Sequence, residues 1–279
     1  MHSTCLCGSV TWEIDGPAEW MSHCHCSFCR KTHGTAFATY VSAPAGGFRL
    51  QGGEHVVRFE SSPGFFRCFC GRCGSVVPGD TFEGRVFAPA GNFDDDPGVR
   101  PVAHIFAASN PPWYEITDAL PRFDAYPPGV DAPVVPDRPR AAVAAPIHGS
   151  CLCNAVAFEA TRDPVICRHC HCSRCRKGRS AAHASNIAVP LDGFRFTRGE
   201  DRLGSYKVPE AQFFTQVFCR TCGSPMPSAD ANRGFAVIAM GALDADPGKR
   251  PQNHIFVASK APWFEITDAL PQFREQQTG

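Results

Sequence analysis

Apolar and polar residues alternate in short runs along the chain. Val10, Trp12 and Ile14 flank Thr11 and Glu13, and Val156 and Phe158 repeat the pattern further on. A period of two sends successive side chains to opposite faces, which predicts half-buried strands. Runs at 36–41, 56–59, 65–69, 85–88, 213–218 and 235–240 are β-branched or aromatic and bounded by Gly and Pro, so they are also read as strands. No long segment keeps a helical period. The predicted fold class is mainly β: short antiparallel sheets, with at most short helices after the CxxC turns.

The pattern occurs twice. Cys5 matches Cys151 and Cys24 matches Cys170 at an offset of 146 residues, which drifts to 149 at Cys70 and Cys219 and to 150 at His104 and His254. Small loop insertions within a duplicated unit account for the drift. From His104 to Phe123 and from His254 to Phe273, fifteen of twenty residues agree. We therefore expect two homologous domains, at 1–124 and 148–279, each with its own core. Between them, 125–147 carries recurrent proline and alanine and reads as an extended, solvated linker. The last residues, Arg274 to Gly279, are expected to fray.

Lys plus Arg equal Asp plus Glu at 27 each, so no charge excess points to nucleic acid or an anionic membrane. The chain shows neither a leader pattern nor an apolar run long enough to span a membrane, and the expected location is the cytoplasm. In that reducing setting, sixteen cysteines argue for metal ligation over disulfides.

The first cysteine set is Cys5 and Cys7 with Cys70 and Cys73, repeated as Cys151 and Cys153 with Cys219 and Cys222. A CxC on an extended strand presents both thiols on one face, and a CxxC followed by Gly forms a knuckle turn. Gly8 and Asn154 follow the CxC pairs, and both residue types enter the left-handed region readily, which suggests a shared turn. Four thiolates close a tetrahedron, so each quartet is read as a structural zinc site. The bland alternative is reduced, buried thiols.

A second set, Cys24, Cys26 and Cys29, recurs as Cys170, Cys172 and Cys175. The leftover thiols, Cys68 and Cys167, do not correspond between halves, so no shared cysteine completes these trios. The fourth position is open, or filled by water, a histidine or a substrate. Cys68, Cys70 and Cys73 repeat the trio's spacing, which leaves ligand choice in the first half ambiguous; buried apolar packing is the simpler reading of Cys68 and Cys167. Zinc on three thiolates is a weak Lewis acid for water but accepts one more thiolate, which favours a bound thiol nucleophile and an aldehyde partner. Zinc deaminases are excluded, because no His-x-Glu precedes a Pro-Cys-x-x-Cys.

Taken together, Cys151-Leu152-Cys153-Asn154, Cys170 through Lys177, Phe218 through Gly223, Gly241-Ala242-Leu243-Asp244 and His254 through Trp263 resemble the glutathione-dependent formaldehyde-activating enzyme family, which includes centromere-protein-V-like proteins. The resemblance spans both halves. It implies a β-tent fold, a four-cysteine structural metal and a three-cysteine functional metal. The implied activity is addition of glutathione or a similar small thiol to formaldehyde, which is carbon-sulfur lyase chemistry of the S-(hydroxymethyl)glutathione synthase type. Asn154 departs from the family's glycine, and Gly91-Asn92-Phe93-Asp94 loosens its Gly-x-Leu-Asp element.

Arg30-Lys31 and Arg176-Lys177 follow the trios and are candidates for neutralising thiolates or binding a peptide thiol's carboxylates, against the alternative of a solvated turn. His25 and His171 lie between ligands and should point away from the metal. Trp113 and Trp263 are read as core. The competing function is a non-catalytic binding module for protein or nucleic acid with every metal structural, and a third possibility is that one half only supports the other. Oligomeric state is not readable from the sequence.

Overall fold

The computed structural model describes residues 1–137 and 145–276. The linker segment around Pro139 and the tail from residue 277 lie outside them. Each half follows one plan. In the first, β1 (His2–Thr4), β2 (Thr11–Ile14) and β5 (Phe48–Gln51) form one antiparallel sheet. A second sheet has the order β10 (His104–Ile105), β3 (Trp20–Cys24), β4 (Ala38–Pro44), β9 (Arg85–Pro89). β6 (Val56–Ser62), β7 (Phe65–Cys70) and β8 (Val76–Val77) make the third.

The second half repeats this with β11 (Ile147–Ser150), β12 (Ala157–Ala160) and β15 (Phe194–Arg198). Its central sheet holds β13 (Ile166–Cys170), β14 (Ala184–Pro190), β18 (Ser228–Asp230), β19 (Phe235–Ala239) and β20 (His254–Ile255). β16 (Leu203–Lys207) pairs with β17 (Thr215–Cys219). The two α-helices among the described residues, α1 (Ser27–His33) and α2 (Ser173–Arg179), each start directly after a trio's second cysteine. The fold is mainly β, as the alternation predicts. One pairing departs from the antiparallel expectation: β10 runs parallel to β3, and β20 to β13. The long excursion before His104 and before His254 supplies the crossover that a parallel pair needs.

The expectation of a separate core for each half fails. One apolar cluster runs through both, from Trp12, Phe37 and Val86 to Phe158, Ile187 and Trp263. Phe69 and Phe218, the buried aromatics preceding the two knuckles, meet edge to face with centroids 6.3 Å apart. The polar ties are reciprocal. Lys31 Nζ is buried and donates to Ser150 O at 2.7 Å, Ala242 O at 2.9 Å and the Asp244 carboxylate. Lys177 Nζ does the same with Thr4 Oγ1 and the Asp94 carboxylate. The lysine after each trio thus clamps the aspartate that closes the opposite half's Gly-x-Leu-Asp element or its looser copy. His33 Nδ1 and Arg179 O, 2.8 Å apart, and Thr35 with Ser185 add further cross-links.

The linker is only partly as expected. Tyr126 packs edge-on against Phe106 at 4.9 Å, and the Asp137 carboxylate accepts from Ser27 N at 2.7 Å, so its first part lies along the first half. Ile147, assigned to the linker, opens β11. Arg274 and Glu275 are not frayed: their carbonyls accept from Ala258 N and Phe256 N.

Candidate metal centres

Sequence-distant cysteines converge into four clusters. Cys5, Cys7, Cys70 and Cys73 have all four sulfurs within 4.8 Å of one another, as do Cys151, Cys153, Cys219 and Cys222. Neighbouring Sγ atoms are 3.5 and 3.7 Å apart in the first quartet and 3.4 and 3.7 Å in the second. A tetrahedron of thiolates about 2.3 Å from a zinc ion has sulfur edges of roughly 3.8 Å, whereas a disulfide needs about 2.05 Å. The donor set therefore fits zinc, and all sixteen cysteines are free thiols.

The local fold explains the convergence. The CxC pairs do not sit on extended strands, as expected, but in turns that follow β1 and β11. Gly8 N closes one turn on Cys5 O at 3.1 Å with Gly8 at φ 74°, and Asn154 closes the other with φ 61°. This turn, not strand alternation, brings both sulfurs to one side. Val10 N and Val156 N then donate to Cys5 Sγ and Cys151 Sγ, each at 3.3 Å.

Cys24, Cys26 and Cys29 gather in the same way, and so do Cys170, Cys172 and Cys175. Here β3 or β13 delivers the first thiol. The second is the helix N-cap: Cys26 Sγ accepts from Cys29 N and Cys172 Sγ from Cys175 N, both at 3.4 Å. Helix geometry places the third one turn on. Cys68 belongs to no cluster, which resolves the spacing ambiguity. Cys68 is 4 % and Cys167 5 % exposed, and Cys167 packs against Met240 Sδ.

Crowded sulfurs perturb one another's protonation. Hydrogen bonds from Cys24 and Cys26 hold Cys29 well below the usual thiol range, while Cys26 and Cys29 push Cys24 up. In the second trio, Cys170 and Cys175 bring Cys172 down to about 3, and Cys170 and Cys172 push Cys175 up. A cation among the sulfurs would favour their thiolate forms, so each cluster could hold a metal ion.

Two side chains that sequence reasoning missed stand at the trios. Arg67 Nη1 donates to Cys29 Sγ at 3.8 Å. Burial disfavours the Arg67 charge, but the Cys29 and Cys26 sulfurs outweigh that and raise its pKa. Arg179 shares a cavity wall with Cys170 and Cys175. The signal was available in the self-alignment, where basic residues change places between equivalent positions. Of the basic pairs predicted from sequence, Lys31 and Lys177 point into the opposite half, and Arg30 is buried. Arg176 donates to Ser259 O and Gly91 O.

His25 and His171 point away from the sulfurs, into the core. His25 Nε2 meets His104 Nδ1 at 2.8 Å, and His104 Nε2 lies 3.0 Å from both Asp118 oxygens. His171, His254 and Asp268 repeat the chain. The carboxylate fixes His104 as an Nε2–H donor, which makes its Nδ1 the acceptor and His25 Nε2 the next donor. These hydrogen bonds lock the loop between the first two cysteines of each trio. Trp113 and Trp263 are buried, as read from sequence.

The sequence profile described as "Glutathione-dependent formaldehyde-activating enzyme" matches residues 1–109 and 146–259. The chain belongs to that family. Among solved structures, the crystal structure of a Rhodobacter sphaeroides protein is 28 % identical over 37 % of this chain and 97 % of its own, with a TM-score of 0.29. No curated protein matches the chain. Both matched regions of this formaldehyde-activating family member carry one quartet and one trio. Among the described residues no helix is long and apolar enough to cross a membrane.

Burial of neutral histidines between the halves gives this family member an expected acid sensitivity. Desolvation lowers His33 to about 4 and His183 to about 3. Below about pH 6.5 the unfolded chain binds protons that the folded one refuses, so stability falls with pH through the window from about 6.5 to about 3, by up to ~1.4 kcal/mol per unit for each group. Phe37 occupies the position equivalent to His183. We expect His183→Phe to fold, and in urea unfolding to lose about 2–3 kcal/mol less than wild type between pH 7 and pH 4.5. Equal losses in the two proteins would show that His183 is not held neutral.

Proposed function

We propose that the trios hold zinc that takes up a small thiol, glutathione or a relative of it, for addition to formaldehyde or a related aldehyde, and that the quartets hold structural zinc. The observation that carries this reading is the convergence of three sulfurs, with no fourth cysteine, beside a cavity that Cys170 and Cys175 line. Zinc held by the three cysteines of a trio would supply an acceptor for one further thiolate.

The chain's own residues do the rest. The cavity, about 180 Å³, is lined by Phe213, Phe214 and Phe235 and by Arg168, Arg179 and Arg233. Aromatic walls exclude water, and guanidinium groups suit the carboxylates of a peptide thiol. A second opening, lined by Cys172, Arg174, Phe256, Ser259 and Arg274, gives another approach to the same trio. Arg176 reaches Ser259 at that opening and is the candidate from its basic pair for a thiol's carboxylate. In the reaction, the sulfur pair forms a bond to the carbonyl carbon, the carbon–oxygen π pair moves to oxygen, and the proton given up by the thiol returns to that oxygen. No oxidant or reductant enters. Holding the two reactants together contributes most, since the addition is intrinsically easy.

The test is magnetisation-exchange NMR with labelled formaldehyde and glutathione. Wild type should accelerate formation of the S-hydroxymethyl adduct over the buffer rate, and Cys172→Ser should lose at least half of that acceleration. An acceleration of zero, or one unchanged by both Cys26→Ser and Cys172→Ser, contradicts the reading. A cytoplasmic location belongs to the same proposal.

A further inference from the structure

A divalent ion with three thiolates carries a net negative charge, and burying such a charge costs several kcal/mol unless a cation stands beside it. The two halves meet this requirement from different positions. In the first, Arg67 on β7 reaches Cys29 at 3.8 Å, the Phe28 ring lies 5.8 Å from its guanidinium carbon, and its Nε is buried with no hydrogen-bond partner. Its counterpart in the second half is Gln216, which has no charge. There the guanidinium comes from Arg179 at the C-terminal end of α2, the position held by His33 in the first half.

Neighbouring residues change with the exchange. His33 Nε2 meets Tyr40 Oη at 2.9 Å; the counterpart of Tyr40 is Asn186, whose Oδ1 accepts from Arg179 Nη2 at 3.4 Å. Gln216 Oε1 accepts from Arg179 Nη1 at 3.5 Å, and Gln216 Nε2 donates to Gly178 O. Phe28, which faces Arg67, is replaced by Arg174. Each of these residues meets a partner specific to its own half. His33 with Tyr40 and Arg67 forms one set, and Arg179 with Asn186 and Gln216 forms the other.

We infer that each three-cysteine cluster depends on one guanidinium to retain its metal, and that Arg67 and Arg179 fill this role interchangeably from non-equivalent positions in the two halves. They are positioning residues that act on the cluster's charge, Arg67 by donating to Cys29 Sγ and Arg179 from the cavity wall it shares with Cys170 and Cys175, and the inference rests on reading the trios as metal sites. It also assigns a difference between the halves. In the second, Arg179 is buried and lines the cavity; in the first, Arg67 donates to the sulfur.

The test is cobalt titration against a competing chelator, read by thiolate-to-cobalt absorption, with no thiol or aldehyde present. Arg67→Gln should weaken the first trio's metal at least tenfold while both quartets keep theirs. Adding His33→Arg and Tyr40→Asn, which installs the second half's set, should return the affinity to within about threefold. The reverse set, Arg179→His alone and then with Asn186→Tyr and Gln216→Arg, checks the second site independently, and Arg67→Lys tests charge without the planar fork. Unchanged affinity in folded Arg67→Gln and Arg179→His overturns the inference, as does failure of both transplanted sets to restore a loss. Wild-type protein that takes only two cobalt ions would instead remove the metal reading of the trios.

Discussion

Serine at Cys219 is expected to abolish cooperative folding of the second half, and serine at Cys70 to do the same to the first. Each quartet ties the turn after the first strand of its half to a knuckle about 65 residues away; Cys7 and Cys70 are 63 apart in sequence, and Cys153 and Cys219 are 66 apart. Closing such a loop restricts the unfolded chain, and the metal itself contributes on the order of 10 kcal/mol in small zinc domains. Both quartets also belong to the shared core, which includes Cys5, Cys70, Cys73, Cys151, Cys219 and Cys222, so losing either one exposes apolar surface from both halves. We expect the loss to exceed ~5 kcal/mol in urea unfolding, a large fraction of the stability of a protein this size. Cys26→Ser and Cys172→Ser should cost less than ~2 kcal/mol, because their clusters sit in small satellite packs at the edge of the core. Wild-type midpoints in Cys219→Ser and Cys70→Ser would show that the quartets carry no structural load.

A single methyl group at Gly91 or Gly241 should separate the halves. A Cβ on Gly91 would stand 2.0 Å from Ala181 N and 2.4 Å from Ala181 O; on Gly241 it would stand 2.4 Å from Arg30 O and from Thr35 N. These are backbone atoms of the opposite half at the C-terminal ends of α2 and α1. They cannot rotate away as a flexible side chain can, so the two halves must part. We expect Gly91→Ala and Gly241→Ala each to cost ~3 kcal/mol or more, at the upper end of overpacking effects. Gly46→Ala, an exposed site with nothing within 4 Å, should fall within about 0.5 kcal/mol of wild type. Thermal unfolding of the three variants is the check, and equal midpoints would mean that the halves do not bear on one another.

Alternation and cysteine spacing carried much of the architecture. Trp12, Ile14 and Phe158 lie in the core where period two puts them, both quartets and both trios assemble from the spacings quoted, and Gly8 and Asn154 share the left-handed turn. What was not legible depends on contacts between halves, which local pattern does not encode. A lysine after CHCxxCR looks like a solvent-facing helix residue, and only the docking of Asp244 and Asp94 reveals the Lys31 and Lys177 clamps. The CxC pair reads as strand because a period of two would also put both thiols on one face, whereas the left-handed Gly8 and Asn154 close a turn instead. Arg67 and Arg179 escaped notice because each stands alone in its half. Neither looks functional until one half is aligned with the other.

Metal stoichiometry combined with thiol titration tests the central claim most directly. The cobalt-loaded chain should hold four ions, fall to two when both trios are replaced by serine, and change its thiolate-to-cobalt absorption on addition of glutathione only while the trios are present. Two ions in the intact chain, or four with no response to glutathione, would contradict a coordination site in each half completed by a visiting sulfur.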